Sequence, residues 1–152
     1  MLLAIDPGDV QSAWVLYDDV TKAAVDYGLE DNEAILGKLQ SFRQYTDQLV
    51  IEMIASYGMP VGKTIFETCV WIGRFRQAWT GHSVDLVYRA DVKLHLCQSP
   101  RAKDANVRQA ILDRYGGDKK RACGTKKNPG PLYGMAKDMW AAMGVALTFA
   151  GQ

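Results

Sequence analysis

Apolar positions along the chain fall into two rhythms. Residues 2–5 (LLAI) are an unbroken apolar run of strand length, 13–17 (AWVLY) form a second after a Pro-Gly turn, and 23–27 (AAVDY) a third, with Val20, Thr21 and Lys22 turning between them. Three short strands with brief connections predict an antiparallel meander. From Asp31 onward the rhythm changes: Ala34, Ile35, Leu36, Leu39 and Phe42 recur at helical spacing after an acidic start, which predicts a helix over 32–46. A fourth strand, QLVIEMI at 48–54, follows with an acid in its middle. A helix is predicted over 63–79 with Ile65, Phe66, Cys69, Val70, Ile72 and Phe75 inward, then a fifth strand, VDLVY at 84–88. Helices over 91–97, 104–115 and 135–150 complete the pattern, and the Gly-, Lys- and Pro-rich stretch 116–134 is expected as a mobile basic loop. The aromatics Trp71, Phe75, Trp79 and Trp140 lie at helical spacings and are expected in the core or on a dimer surface.

This order predicts an α/β fold around a central five-stranded mixed sheet, three antiparallel strands followed by parallel ones, flanked by helices. A helical crossover normally returns a parallel strand next door, so the first and fourth strands should be neighbours. Asp6, where the first strand stops, would then lie beside Glu52 near the sheet centre. Two carboxylates in an apolar setting repel, and a cation between them relieves the repulsion. Oxygen donors without clustered His or Cys favour magnesium or manganese over zinc. Asp138, near the start of the last helix, is the candidate third carboxylate. The structural alternatives are a turn-capping role for Asp6 and a helix-dipole role for Asp138. An unpaired buried Glu52 is harder to explain structurally.

At 152 residues and 48% apolar content the chain fits one domain with a real core. No 18-residue apolar stretch and no charged leader with an apolar segment behind it occur, so an intracellular, cytoplasmic protein without a membrane partner is expected. Cys69, Cys97 and Cys123 lack the spacing of a disulfide framework or a zinc site. His82 and His95 are lone and carry no assigned chemistry. Net charge is only +1, yet residues 89–127 hold eleven Lys or Arg against four acids. Such asymmetry makes a basic face that neutralises phosphates, or else an ordinary solvated surface.

Several stretches together resemble RuvC-type Holliday junction resolvases, in the form nearest the short bacteriophage-encoded branch. They are AIDPG at 4–8, SAWVLYD at 12–18, VIEMIASYGMPVG at 50–62, YRADVKLHL at 88–96, RAKDANVRQAILDRYGG at 101–117 and AAMGVALT at 141–148, in the family's order over nearly the whole chain. The resemblance implies an RNase H-like fold, a homodimer, and magnesium-dependent resolution of four-way DNA junctions by paired nicks, in a bacterial or phage-infected cytoplasm. It implies two Mg2+ ions, with Mn2+ able to substitute, and in-line phosphodiester hydrolysis. Asp6, Glu52 and Asp138 match the family's metal-binding acids. Lys93 and Lys103 match its basic positions near the scissile phosphate. Arg101, Arg108, Lys119, Lys120, Arg121, Lys126 and Lys127 would contact DNA backbone. Ala141 stands where the family often has a second acid, one turn after Asp138. Either three carboxylates suffice, or Asp104, Glu67 or Asp9 contributes, or the second ion binds weakly. A glycine of the family is likewise replaced by Ala13.

Two other readings stay open. One is an RNase H-like nuclease acting on other branched or RNA-containing nucleic acids, and the other is a non-catalytic DNA-binding module, which Ala141 favours. An ATP-binding fragment of the actin and sugar-kinase type begins with a similar acid-turn-strand element, but the chain is too short for its two lobes.

Overall fold

The computed structural model describes all 152 residues. Five strands, β1 (Leu2–Asp6), β2 (Gln11–Asp18), β3 (Ala23–Asp31), β4 (Gln48–Met53) and β5 (Ser83–Tyr88), form one sheet in the order β3-β2-β1-β4-β5. The first three are antiparallel neighbours, and β4 and β5 add in parallel on the other side of β1. The expected mixed sheet is therefore present, with the first and fourth strands adjacent. Both are apolar on both faces, as strands covered on two sides must be.

Six helices complete the chain: α1 (Asn32–Phe42), α2 (Lys63–Ala78), α3 (Arg89–Cys97), α4 (Asp104–Arg114), α5 (Lys119–Ala122) and α6 (Met139–Ala150). Alternate side chains of the strands feed two separate cores. On one face Leu3, Ile5, Trp14, Leu16, Leu49 and Ile51 meet Ile35, Leu39 and Phe42 of α1 and Ile72, Phe75 and Trp79 of the α2 region. On the other, Leu2, Ala4, Val15, Tyr17, Val50 and Val87 meet α3, α4 and α6. α6 is apolar nearly all round, and Trp140 and Ala142 to Leu147 are buried along it.

Several local expectations change. α1 stops at Phe42 rather than 46, and Thr46 instead turns its hydroxyl to donate to the Met1 carbonyl at 2.7 Å. α2 buries a narrower stripe than its apolar content predicts: Thr68, Ile72 and Phe75 face in, whereas Phe66 and Val70 are exposed. α6 begins at Met139 rather than 135, because Gly134 and Lys137 take positive φ and the chain turns before it can coil. Segment 116–134 contains the one-turn α5 and a bridge between Gly124 and Pro129, and it sends Ala122, Cys123 and Leu132 into the core. No helix is long and apolar enough to cross a membrane.

Candidate active site

Three parallel strand ends define the site. In the β1–β4 ladder Ile5 stands opposite Ile51, so the next residues, Asp6 and Glu52, emerge at the same edge of the sheet. In the β4–β5 ladder Glu52 is opposite Val87, and the chain passes from β5 directly into α3, whose first residue is Arg89. The carboxyl ends of parallel strands are where α/β sheets gather ligand-binding groups, since the chain diverges into loops and helices there.

The turn after Asp6 is locked by a closed set of hydrogen bonds. Gly8 N–H donates to Ser12 Oγ (3.1 Å), Ser12 Oγ donates to Asn32 Oδ1 (2.5 Å), and Asn32 Nδ2 donates to the Gly8 carbonyl (2.9 Å). Ser12 and Asn32 are both buried. A Cβ on Gly8 would run into the Gln11 carbonyl oxygen, so the close approach requires glycine. Asp6 is thereby held at the strand end by the fold and does not itself cap the turn.

Glu52 is only 8% exposed, and its charge is met by one cation. Arg89 Nη1 donates to both Glu52 carboxylate oxygens at 3.2 Å, while Nη2 donates to Asp104 Oδ1 at 2.6 Å. Lys93, one turn further along α3, has its Nζ 3.9 Å from the same Asp104 oxygen. Burial, then the neighbouring Glu52 charge, push the Asp6 carboxyl up to about 8, and Arg89 offsets only part of this. Glu52 is also raised, because burial outweighs the Arg89 contact. Without a further cation the pair is thus held partly protonated.

Beside this pair lies a cavity of about 90 Å³, lined by Arg89, Lys93, Asp104, Lys137, Asp138 and Ala141 among others. Trp140 forms part of its wall, with the Arg108 guanidinium 5.0 Å from the ring centroid. Asp138 occupies the N-cap position of α6, exposed and capping nothing with its side chain. Of the three candidates for an additional ligand, Asp104 lines the cavity, whereas Glu67 and Asp9 do not.

No three His, Cys, Asp or Glu side chains converge closely enough to hold a metal ion. The expected three-carboxylate cluster is therefore not assembled: half-buried Asp6 and buried Glu52 form a pair whose cation is Arg89, while Asp138 remains on the exposed rim of α6. The donor chemistry nonetheless fits a hard divalent cation, since both carboxyls are pushed up by desolvation, Asp6 further by the Glu52 charge, a cation relieves this, and every available donor is oxygen.

The basic residues sort into inner and outer sets. Lys93 lines the cavity. Arg108 is committed to Trp140. Lys103 precedes α4, where its backbone N–H donates to Asn106 Oδ1 (2.9 Å), and its side chain is exposed, as is that of Arg101. Lys119, Lys120 and Arg121 are exposed on α5, and Lys126 and Lys127 lie exposed within the 124–129 loop. None of these outer cations is in a salt bridge.

Sequence reasoning did not place Arg89, Lys137 or Trp140 at the site. Arg89 follows the last residue of β5 and Met53 faces Tyr88 across the ladder, so the β4–β5 register was the missing signal. Trp140 reads as plain core by helical spacing, and Lys137 takes a left-handed φ of 51° that no pattern marks.

Sheet order, strand directions and flanking helices define an RNase H-like α/β fold. No protein-family model matches the chain, and no curated protein matches it. Among solved structures it is similar to Thermus thermophilus RuvC, with a TM-score of 0.64 and 16% identity over 99% of this chain and 93% of that one. It is also similar to T. thermophilus RuvC in complex with a Holliday junction substrate, at a TM-score of 0.62 and 14% identity over 99% and 92% of the two chains. At such identities the likeness is one of fold.

Proposed function

We propose that the protein is a magnesium-dependent endonuclease of the RuvC type that cuts branched DNA, four-way junctions above all, as a homodimer. The observation that carries this reading is the Asp6–Glu52 pair at the carboxyl ends of adjacent parallel strands, set beside unpaired surface cations in an RNase H-like fold. The similar chain solved with a Holliday junction substrate supports the choice of branched DNA.

Asp6 and Glu52 would hold the ion, with Asp138 joining from α6. Bound magnesium, for which manganese would substitute, supplies Lewis acidity toward a phosphodiester and makes water ionise nearer neutral pH. Lys93, at the cavity, neutralises charge on the phosphate being cut, with Lys103 beside α4 assisting. Arg101, Arg108, Lys119, Lys120, Arg121, Lys126 and Lys127 supply backbone contacts, which position DNA without reading its sequence. Junction choice then follows from DNA shape and the dimer's two-fold symmetry.

The deciding experiment incubates the protein with end-labelled four-way junctions, forks, flaps and RNA–DNA hybrids, with magnesium or EDTA. Paired nicks in the junction, dependent on magnesium, are expected. Preferential cutting of hybrids or flaps would move the substrate elsewhere within the fold's chemistry. Two observations favour a second reading, a DNA-binding module without catalysis: no three acids converge, and Ala141 lines the cavity where a further carboxylate would fit. Tight junction binding with no cleavage in magnesium or manganese would establish it.

Two outcomes follow at particular residues. Replacing Lys119, Lys120, Lys126 and Lys127 by Ala should weaken binding to all junction sequences equally and flatten the log affinity against log salt plot by about 0.9 for each phosphate no longer neutralised. An unchanged slope in a filter-binding titration would place these lysines off the DNA. Ala141→Asp adds a carboxylate one turn after Asp138 on the same cavity wall, and half-maximal cleavage should then need less magnesium. An unshifted titration would mean that the site is complete without it.

A further inference from the structure

We propose that Arg89 is a resident counterion of the Asp6–Glu52 pair, one that a divalent cation must displace from Glu52 before it can bind. This rests on the reading of that pair as a metal site. The guanidinium is the only cation hydrogen-bonded to Glu52, and it spans a buried acid and an exposed one: side-chain exposure is 10% for Glu52, 40% for Arg89 and 73% for Asp104. Its two arms are unequal. Both contacts to Glu52 are 3.2 Å long, whereas the contact to Asp104 is 2.6 Å. Charge-assisted N–H···O bonds are ordinarily about 2.7–2.9 Å, so the inner arm is the weaker one. The guanidinium can therefore release Glu52, keep its bond to Asp104 and stay on the solvent side.

An arginine suits this role better than a lysine or histidine. It does not lose its proton at any physiological pH, so its charge cannot be removed by titration and must be moved or overcome. Its Nη1 alone donates to both Glu52 oxygens while Nη2 holds Asp104, so one planar group ties the inner acid to the outer one and sits where an incoming ion would approach Glu52. Asp104 is placed to receive it because it opens α4, where a carboxylate is also favoured by the helix dipole. Lys93 stands 3.9 Å from the same Asp104 oxygen, so the outer anchor is itself held between two cations. The arrangement keeps the two neighbouring carboxylates tolerable in the metal-free protein, at the cost of competing with the metal.

The test measures metal binding without DNA. Mn2+ is titrated into the full chain at pH 8, by calorimetry and by the loss of the free-ion electron paramagnetic resonance signal. Arg89→Gln is expected to bind Mn2+ roughly tenfold or more tightly than wild type, because a fixed positive charge beside the ion is gone. Arg89→Lys, which keeps the charge, should stay within about threefold of wild type. In the wild type, the Arg89 Nη1 hydrogens, which donate to Glu52 and are assigned by their absence in Arg89→Lys, should exchange with water several-fold faster at saturating Mg2+ as the guanidinium leaves Glu52. If Arg89→Gln does not fold, this exchange rate alone decides. Wild-type binding with equal or weaker affinity in Arg89→Gln, or unaltered Arg89 exchange on metal saturation, would overturn the displacement while leaving the metal site intact. Absence of Mn2+ binding in every variant would overturn both.

Discussion

Asp6→Asn and Glu52→Gln are each expected to lower junction cleavage by about a thousandfold or more while changing junction affinity by less than about threefold. Each amide keeps the size and planarity of the acid and removes the charge that would hold the ion. Neither residue lies among the exposed cations proposed to meet DNA, which are carried by α5, the 124–129 loop and the start of α4. Single-turnover cleavage and gel-shift affinity on the same junction separate the two effects. Cleavage near the wild-type rate in both variants would remove Asp6 and Glu52 from the chemistry, whatever the fold. Parallel loss of binding and cleavage would mean that the substitutions damage the sheet edge as a whole. Glu52→Gln has a further consequence, since it deprives the Arg89 guanidinium of its inner partner.

The second large effect is on stability. In EDTA, the wild type should become less stable as pH rises from about 4 to about 8, opposite to the usual behaviour of ion-paired acids. Folded Asp6 keeps its proton up to about 8, whereas the unfolded chain loses it near the ordinary value of 3.8. Between those limits the folded state binds more protons than the unfolded one, so raising the pH favours unfolding; below the window the penalty vanishes. Glu52 is shifted in the same direction and adds to the slope. The Asp6 shift from 3.8 to about 8, which already includes the Arg89 offset, corresponds to a loss on the order of several kcal/mol across the window. Asp6→Asn should remove most of it, making the metal-free variant more stable than wild type at pH 8 by a similar amount. Urea unfolding at several pH values reads this directly. A wild-type slope that survives in Asp6→Asn would mean that the penalty arises elsewhere.

The sheet and the acid pair were legible because buried strands leave so little freedom. An acid interrupting QLVIEM, or ending LLAI, has no apolar periodicity to belong to, and the crossover rule makes those two strands neighbours. Arg89 was not legible for the converse reason. One of eleven cations in a basic stretch, it becomes distinct only when β5 pairs with β4 and α3 begins at Arg89, two residues earlier than its apolar spacing indicates. The start of α6 was misplaced because Met135 belongs to the core without belonging to the helix: Leu132 and Met135 are buried from a turn, and composition cannot tell that from coiled backbone. For α2 the periodicity was sound but its phase was not, since Phe66 and Val70 continue the apolar pattern onto the exposed side.

The sheet, with a separate core on each face, acts as a partition wall. All three helices that border the cavity, α3, α4 and α6, pack on one side, and α1 and α2 fill the other. Two compartments that share only backbone should respond to mutation independently. Ile35→Val on the α1 side and Ile111→Val on the α4 side should combine additively, to within about 0.5 kcal/mol in a double-mutant cycle. Ile35→Val with Phe75→Leu, inside one compartment, should depart from additivity by more than that, because a gap opened by one is felt by the other. A protein engineer can accordingly rebuild the α1–α2 side for heat resistance, or attach a reporter dye to the half-buried Cys69 on α2, without retuning the acids across the wall.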